Sequence, residues 1–169
     1  FAIPEPAAAR VYDVLTDRGA IDFASARAKT TTPLLDVVPG DERLSLLDRE
    51  QALRMFAFRS KLAPILEDYD YVLVDLPPGV SMATMMCLAA ADYVLVPTQP
   101  EPYCLDGTGA VVETLAASRE ANPKLALLGF VVTIFDERLR SHRDGVAQLR
   151  ESYGDRVFGQ TEDSEMAFS

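Results

Sequence analysis

One histidine and two cysteines are all that these 169 residues contain of either type, and that scarcity closes off several chemistries. With His142 alone, a zinc site or a Ser-His-Asp hydrolase has little to work with. Cys87 and Cys104 lie in apolar surroundings without metal-ligand spacing, which reads as buried free thiols in a reducing cytoplasm. No apolar run approaches the roughly 20 residues that span a bilayer, and no signal-peptide pattern opens the chain. Positive charge is also short. Sixteen Lys and Arg against 26 Asp and Glu leave a net charge of −10, which argues against nonspecific nucleic-acid binding by the whole surface but leaves room for a local basic patch.

Low-complexity tracts are missing as well. With 49% hydrophobic and 25% charged residues, the chain can bury a full core, and a single globular domain over residues 1–169 is expected. The chain begins with Phe1 and stops at Ser169 without a terminal helix signal, so both ends are expected to be cut.

The most informative stretch runs Tyr69-Asp70-Tyr71-Val72-Leu73-Val74-Asp75-Leu76-Pro77-Pro78-Gly79. Its apolar run predicts a buried parallel strand, Tyr71–Asp75, that delivers one carboxylate into a proline-stiffened, glycine-freed loop. Burying an unpaired carboxylate is costly, so Asp75 belongs at a loop edge with a partner, and hydrated Mg²⁺ is the usual partner where nucleotide phosphates bind. The plain alternative is a strand followed by a proline turn.

Around this stretch the pattern alternates. Val11–Leu15 starts a short helix, and Leu34–Val38 reads as a strand ending at Pro39-Gly40. Leu44–Leu66 is helical in period, with a kink or break at Pro64. Ser81–Ala90 is a helix whose Met82, Met85 and Met86 suit core filling. Tyr93–Val96 is a strand closed by Pro97, followed by a rigid, exposed loop through Pro102. Asp106 is placed as the N-cap of a helix to about Ala121. Leu125–Thr133 is a third buried strand. Ser141 with Asp144 resembles a capping box for a helix ending at Tyr153-Gly154, and Arg156–Phe158 closes the chain as a short strand. Strands alternating with helices imply βαβ units and a parallel sheet. Ligands bind outside the carboxyl ends of such strands, here Asp75–Gly79, Pro97–Glu101 and Thr133–Asp136, so three sequence-distant loops should converge on one edge.

Three segments in this order resemble the ParA/MinD family of deviant Walker ATPases, and most closely its ParA partition branch. They are residues 69–79, Val96-Pro97-Thr98-Gln99-Pro100-Glu101-Pro102-Tyr103-Cys104-Leu105-Asp106-Gly107, and Gly129-Phe130-Val131-Val132-Thr133-Ile134-Phe135-Asp136. Val11-Tyr12-Asp13-Val14-Leu15 upstream and Tyr153-Gly154-Asp155-Arg156-Val157-Phe158 downstream extend the likeness. The resemblance implies a P-loop NTPase-like, doubly wound α/β fold with a mainly parallel sheet and helices on both faces. It implies that Asp75 is the Walker B carboxylate, holding Mg²⁺ through water, and that Pro77, Pro78 and Gly79 form switch II beside the γ-phosphate. Glu101 falls near the partner subunit's nucleotide, Thr133 and Asp136 around the adenine, and Arg138, Arg140 and Arg143 where ParA proteins carry basic residues for nonspecific DNA. ATP and Mg²⁺ would be the cofactors. A homodimer, a ParB-like centromere-binding protein and DNA would be the partners, with no membrane, in a cytoplasmic, nucleoid-associated protein.

Each position also has a plainer reading. Glu101 serves as a solvated loop charge, Asp136 as an Asx-type turn stabiliser, Thr133 as the end of its strand, and the arginines as a wet helix start. The chain departs from the family where phosphate is held. No Gly-x-x-x-x-Gly-Lys-Ser/Thr loop is present; Lys29-Thr30-Thr31-Thr32 imitates its end, but Ser25-Ala26-Arg27-Ala28 supplies no glycine. Switch I and the final helices are also missing, and Thr161–Glu165 is acidic. Two expectations follow: a fragment whose parent carries strand 1, the P-loop and switch I upstream, or a degenerate, non-hydrolysing interaction module. A MinD-like positioning ATPase is the other alternative within the family.

Overall fold

The computed structural model describes residues 7, 9–16, 20–49, 55–101 and 104–159, leaving aside the side chains of 48, 49 and 104–106. Expectations for Phe1, Pro102, Tyr103, the middle of the 44–66 helix, the 161–165 acidic stretch and the side chains of Cys104 and Asp106 lie outside the described residues. The chain divides into two compact units, Phe1–Ala90 and Ala91–Ser169.

The first unit is mostly helical. Helices α1 (Val11–Thr16) and α2 (Phe23–Ala26) precede a two-residue antiparallel pair, β1 (Ala28–Lys29) with β2 (Asp36–Val37). β2 is shorter than the expected 34–38 strand because Leu34 takes a left-handed φ of 62° and is fully exposed, outside the ladder. A 3₁₀ segment (Glu42–Arg49), α3 (Ala57–Leu62) and a second 3₁₀ segment (Ala63–Asp68) replace the continuous helix, and Pro64 stands in the first turn of the second 3₁₀ segment, where its missing N–H costs nothing. α4 (Met82–Leu88) is capped by the Ser81 hydroxyl, which accepts from the Thr84 N–H. Val14, Phe23, Leu47, Phe58 and Met86 form the core of this unit, with the Phe23 and Phe58 rings edge to face at 5.5 Å. Met86 is buried and Met82 packs against the same cluster, as core filling requires. Cys87 is buried too, and desolvation pushes its thiol up to about 11, so it stays protonated and inert at neutral pH.

Arg43 ties this unit together. Its Nη1 and Nη2 grip the Asp13 carboxylate at 2.8 and 3.0 Å, its Nε and Nη2 reach Asp41 at 3.1 and 2.6 Å, and its guanidinium lies 5.0 Å over the Tyr12 ring. Hydrogen bonding to Arg43 holds both carboxylates below their ordinary value of 3.8. A depressed folded-state value stabilises the fold above pH 3.8, and the contribution is lost as pH falls through the lowered values. Arg43→Ala should therefore flatten the acid limb of the stability curve below about pH 4 and leave the slope at neutral pH unchanged, as read by circular dichroism at a series of pH values.

The second unit is α/β. β3 (Tyr93–Thr98), β4 (Ala126–Val132) and β5 (Val157–Phe158) form a parallel sheet in the order β3-β4-β5, connected through α5 (Cys104–Ser118) and α6 (Arg140–Tyr153). The strand at Tyr93 runs two residues past its expected end and contains Pro97, which pairs with Val131; proline is tolerated because β3 is an edge strand of this sheet. Phe130 and Leu149 are fully buried, and the Phe130 ring lies 4.4 Å from that of Tyr153. Phe130→Ala should cost about 3–5 kcal/mol, a loss that denaturant titration of this unit would register as a lower midpoint.

Three local expectations are corrected. α5 already contains Asp106 as its third residue, so Asp106 is not its N-cap. α6 begins at Arg140 with Leu139 as its N-cap, so Ser141 and Asp144 form no capping box; the turn before the helix is closed by its own bonds and starts the helix early. Most importantly, Tyr71–Asp75 is not a strand. It belongs to neither sheet among the described residues, and Tyr71 and Leu73 are 86% and 93% exposed. Strand identity needs a neighbour to accept its N–H and C=O groups, and none of the described residues offers one.

Candidate functional site

Asp75 sits at the end of this unpaired segment, which belongs to neither sheet among the described residues, and is exposed. Leu76, just beyond it, packs against the core of the first unit, which anchors the segment at that point. Two prolines then lead into Gly79, whose φ is +103°, a conformation that a side chain rarely adopts. The Gly79 carbonyl accepts a 3.3 Å bond from the Thr84 hydroxyl, which fastens the Pro77–Gly79 loop to α4. Any substitution at Gly79 is strained there, although a Cβ would meet nothing within 4 Å.

In the second unit the ends of β3 and β4 do meet. The Thr133 N–H donates to the Thr98 carbonyl at 2.9 Å. Pro100 follows in a fully buried position and Glu101 is exposed; the loop after β3 is therefore not exposed throughout, as the sequence pattern suggested. Just after Thr133, Ile134 adopts a left-handed φ of 54° while 74% exposed. A β-branched residue in that conformation stores backbone strain, a feature that clusters at ligand-binding loops.

Asp136 closes the next turn. Its Oδ1 accepts from the Arg138 N–H at 3.0 Å, an Asx turn, and its two oxygens take Arg138 Nε and Nη2 at 3.0 and 2.9 Å. Hydrogen bonding to Arg138 holds the Asp136 carboxyl below its ordinary range. The Asp136 N–H donates to His142 Nδ1 at 3.1 Å, which ties the turn to the first turn of α6. Sequence reasoning gave His142 no part in this turn, because a contact six residues away follows no helical or strand period.

The three arginines stand together at this turn and the first turn of α6. Arg138 and Arg140 are 85% and 87% exposed; Arg140 Nε lies 3.5 Å from Asp144, and Arg143 Nη1 donates to the Glu137 carbonyl. Exposed pairs of this kind are worth little, so phosphate could compete for these cations. Asp75 and the Pro77–Gly79 loop belong to the first unit, whereas Glu101, Thr133, Asp136 and the arginines belong to the second. No group of three or more His, Cys, Asp or Glu that could hold a metal occurs among the described residues. No helix among them is long and apolar enough to cross a membrane.

A parallel sheet whose strand ends meet at Thr98 and Thr133, with helices between its strands, is an α/β arrangement. A sequence family described as "AAA domain" matches residues 3–127. The chain belongs to the ParA/MinD-type P-loop ATPases. It is 35% identical over 154 residues to the chromosome partitioning protein ParA of Caulobacter vibrioides, covering 88% of this chain and 57% of that protein. It is 45% identical over 93 residues to the chromosome-partitioning ATPase Soj of Thermus thermophilus, covering 54% of this chain and 37% of that one. The chain thus spans 57% and 37% of the length of these two curated relatives.

Among solved structures, cobyrinic acid a,c-diamide synthase from Mycobacterium smegmatis with bound ADP and magnesium superposes with a TM-score of 0.77 at 28% identity, over 89% of this chain and 62% of that one. McdA of Cyanothece in its apo form superposes with a TM-score of 0.78 at 20% identity, over 95% and 67%, a likeness of fold alone.

Proposed function

We propose that these residues are part of a Mg²⁺-dependent partition ATPase of the ParA type. The observation that carries this reading is the order of three segments in a chain of this family: the Asp75–Gly79 loop, the β3–Glu101 loop and the β4–Asp136 turn. In this reading ATP closes two subunits into a dimer, the dimer binds DNA without sequence preference, and a ParB-like partner stimulates hydrolysis and release. The protein acts in the cytoplasm on the nucleoid. Because the chain spans 57% of the Caulobacter relative, the activity belongs to the full-length protein.

The donor chemistry fits the cofactors. Mg²⁺ keeps most of its waters and takes one or two carboxylates plus phosphate oxygens, and Asp75 supplies one exposed carboxylate for that purpose. Bound Mg-ATP supplies a γ-phosphoryl group for transfer to water. The chain's own groups do the positioning. Asp75 would hold a water of the metal, and the Pro77, Pro78 and Gly79 loop would bind the γ-phosphate. Thr133 and Asp136 flank the base, and Glu101 faces the partner subunit's nucleotide. Arg138, Arg140 and Arg143 would take DNA phosphates.

The test is Mg-ATP turnover and nucleotide binding by the full-length protein. Measurable turnover supports the reading. Absence of both turnover and ATP binding removes it in favour of a nucleotide-free interaction module. Retained turnover with vesicle binding and no DNA binding would point to a MinD-like positioner instead.

A further inference from the structure

Glycine inside a helix weakens it, and Gly145 stands at the sixth position of α6. What it permits is a close approach. A Cβ at this position would lie 2.8 Å from the Pro100 carbonyl oxygen, 3.2 Å from its carbonyl carbon and 3.5 Å from its Cα. Real Cβ atoms essentially never come within 3.0 Å of another heavy atom, and the obstruction here is backbone, which cannot swing aside as a side-chain tip can. Both residues are buried, Pro100 completely, and Val146 and Leu149 continue the buried stripe of α6. The other end of the loop is fastened separately, through the bond from the Thr133 N–H to the Thr98 carbonyl.

The geometry points to Gly145 as a positioning residue for the loop after β3. The bare helix backbone at Gly145 seats Pro100, so that the loop bearing Glu101 and the helix bearing Arg140 and Arg143 are held as one piece. This rests on the partition-ATPase reading for its functional consequence, since that reading puts nucleotide at Glu101 and DNA at the arginines. Movement of either element is then transmitted to the other through one backbone contact. Helix propensity alone predicts the opposite outcome for alanine at this site, a more stable helix with no change at the loop.

The experiment compares Gly145→Ala with wild type in the full-length protein, and with Gln148→Ala, an exposed change on the same helix. Gly145→Ala should shift the amide resonances of Gln99 and Glu101 and raise KM for Mg-ATP about fivefold with kcat within about twofold, a split expected for misplaced binding groups. Gln148→Ala should do neither. Unmoved Gln99 and Glu101 amides overturn the inference, and so does a shifted loop with an unaltered KM. If Gly145→Ala fails to fold, the wild-type protein should show nuclear Overhauser contacts between the Gly145 and Pro100 α-protons, and their absence overturns the inference equally. Should the wild-type full-length protein hydrolyse no ATP, the ATPase reading falls by itself, and the amide shifts still decide whether Gly145 places the loop.

Discussion

Replacing Asp75 by alanine should lower ATP turnover by the full-length protein by about 10³-fold or more. A metal ion that neutralises developing charge on the transferred phosphoryl group contributes several kcal/mol, and each 1.36 kcal/mol is tenfold in rate. Asp75 is the carboxylate of the Asp-Leu-Pro-Pro-Gly loop, and among the described residues no metal-binding cluster of three or more acidic, Cys or His side chains stands in reserve. The effect should fall on kcat, with the melting temperature nearly unchanged, because the side chain is exposed and surface substitutions usually move stability by less than about 0.5 kcal/mol. Steady-state kinetics with a parallel thermal melt separates the two. Equal turnover by wild type and Asp75→Ala would show that this carboxylate does not serve the reaction. Asp75→Asn keeps the volume and removes the charge, and should be as inactive as alanine.

Reversing charge at Arg138, Arg140 and Arg143 together should abolish ATP-dependent DNA binding without changing dimerisation. Three lost phosphate contacts reduce the slope of log K against log salt by about 2.7, equivalent to roughly 40-fold between 50 and 200 mM salt. Electrophoretic or fluorescence titration across that range reads the slope directly. An unaltered slope would assign the three arginines to the turn alone, where Arg138 already grips Asp136 and Arg143 the Glu137 carbonyl. The chain as a whole carries −10, so any DNA contact has to be local, and distant carboxylates weaken it further at low salt.

Much of the second unit was legible in the residues. The strands at Tyr93 and Leu125, the helix ending at Gly154 and the short strand at Val157 all follow from apolar runs bounded by Pro, Asn-Pro and Gly, which act over a few residues. The Asx turn at Asp136 was legible for the same reason. The capping residue of α6 was not. Ser141 has the right chemistry, but the turn bonds from Leu139 to Asp136 and from His142 and Arg143 to Leu139 start the helix at Arg140. Competition between two acceptable helix starts is settled by which set of turn bonds the folded chain makes, and residue preference does not contain that information.

The order of the three segments, and with it the family, was decided by the amino-acid sequence alone, because motifs and apolar periods are local properties. Which apolar stretch finds a sheet was decided only in three dimensions. Ala126–Val132 became a central strand because β3 and β5 flank it, whereas Tyr71–Asp75, also apolar, is exposed and joins no sheet because none of the described residues pairs with it. The same holds for Gly145, whose meaning appears only where the Pro100 backbone meets it. A strand or a close contact is a relation between distant residues, and a run of residues can state the need for a neighbour without naming it.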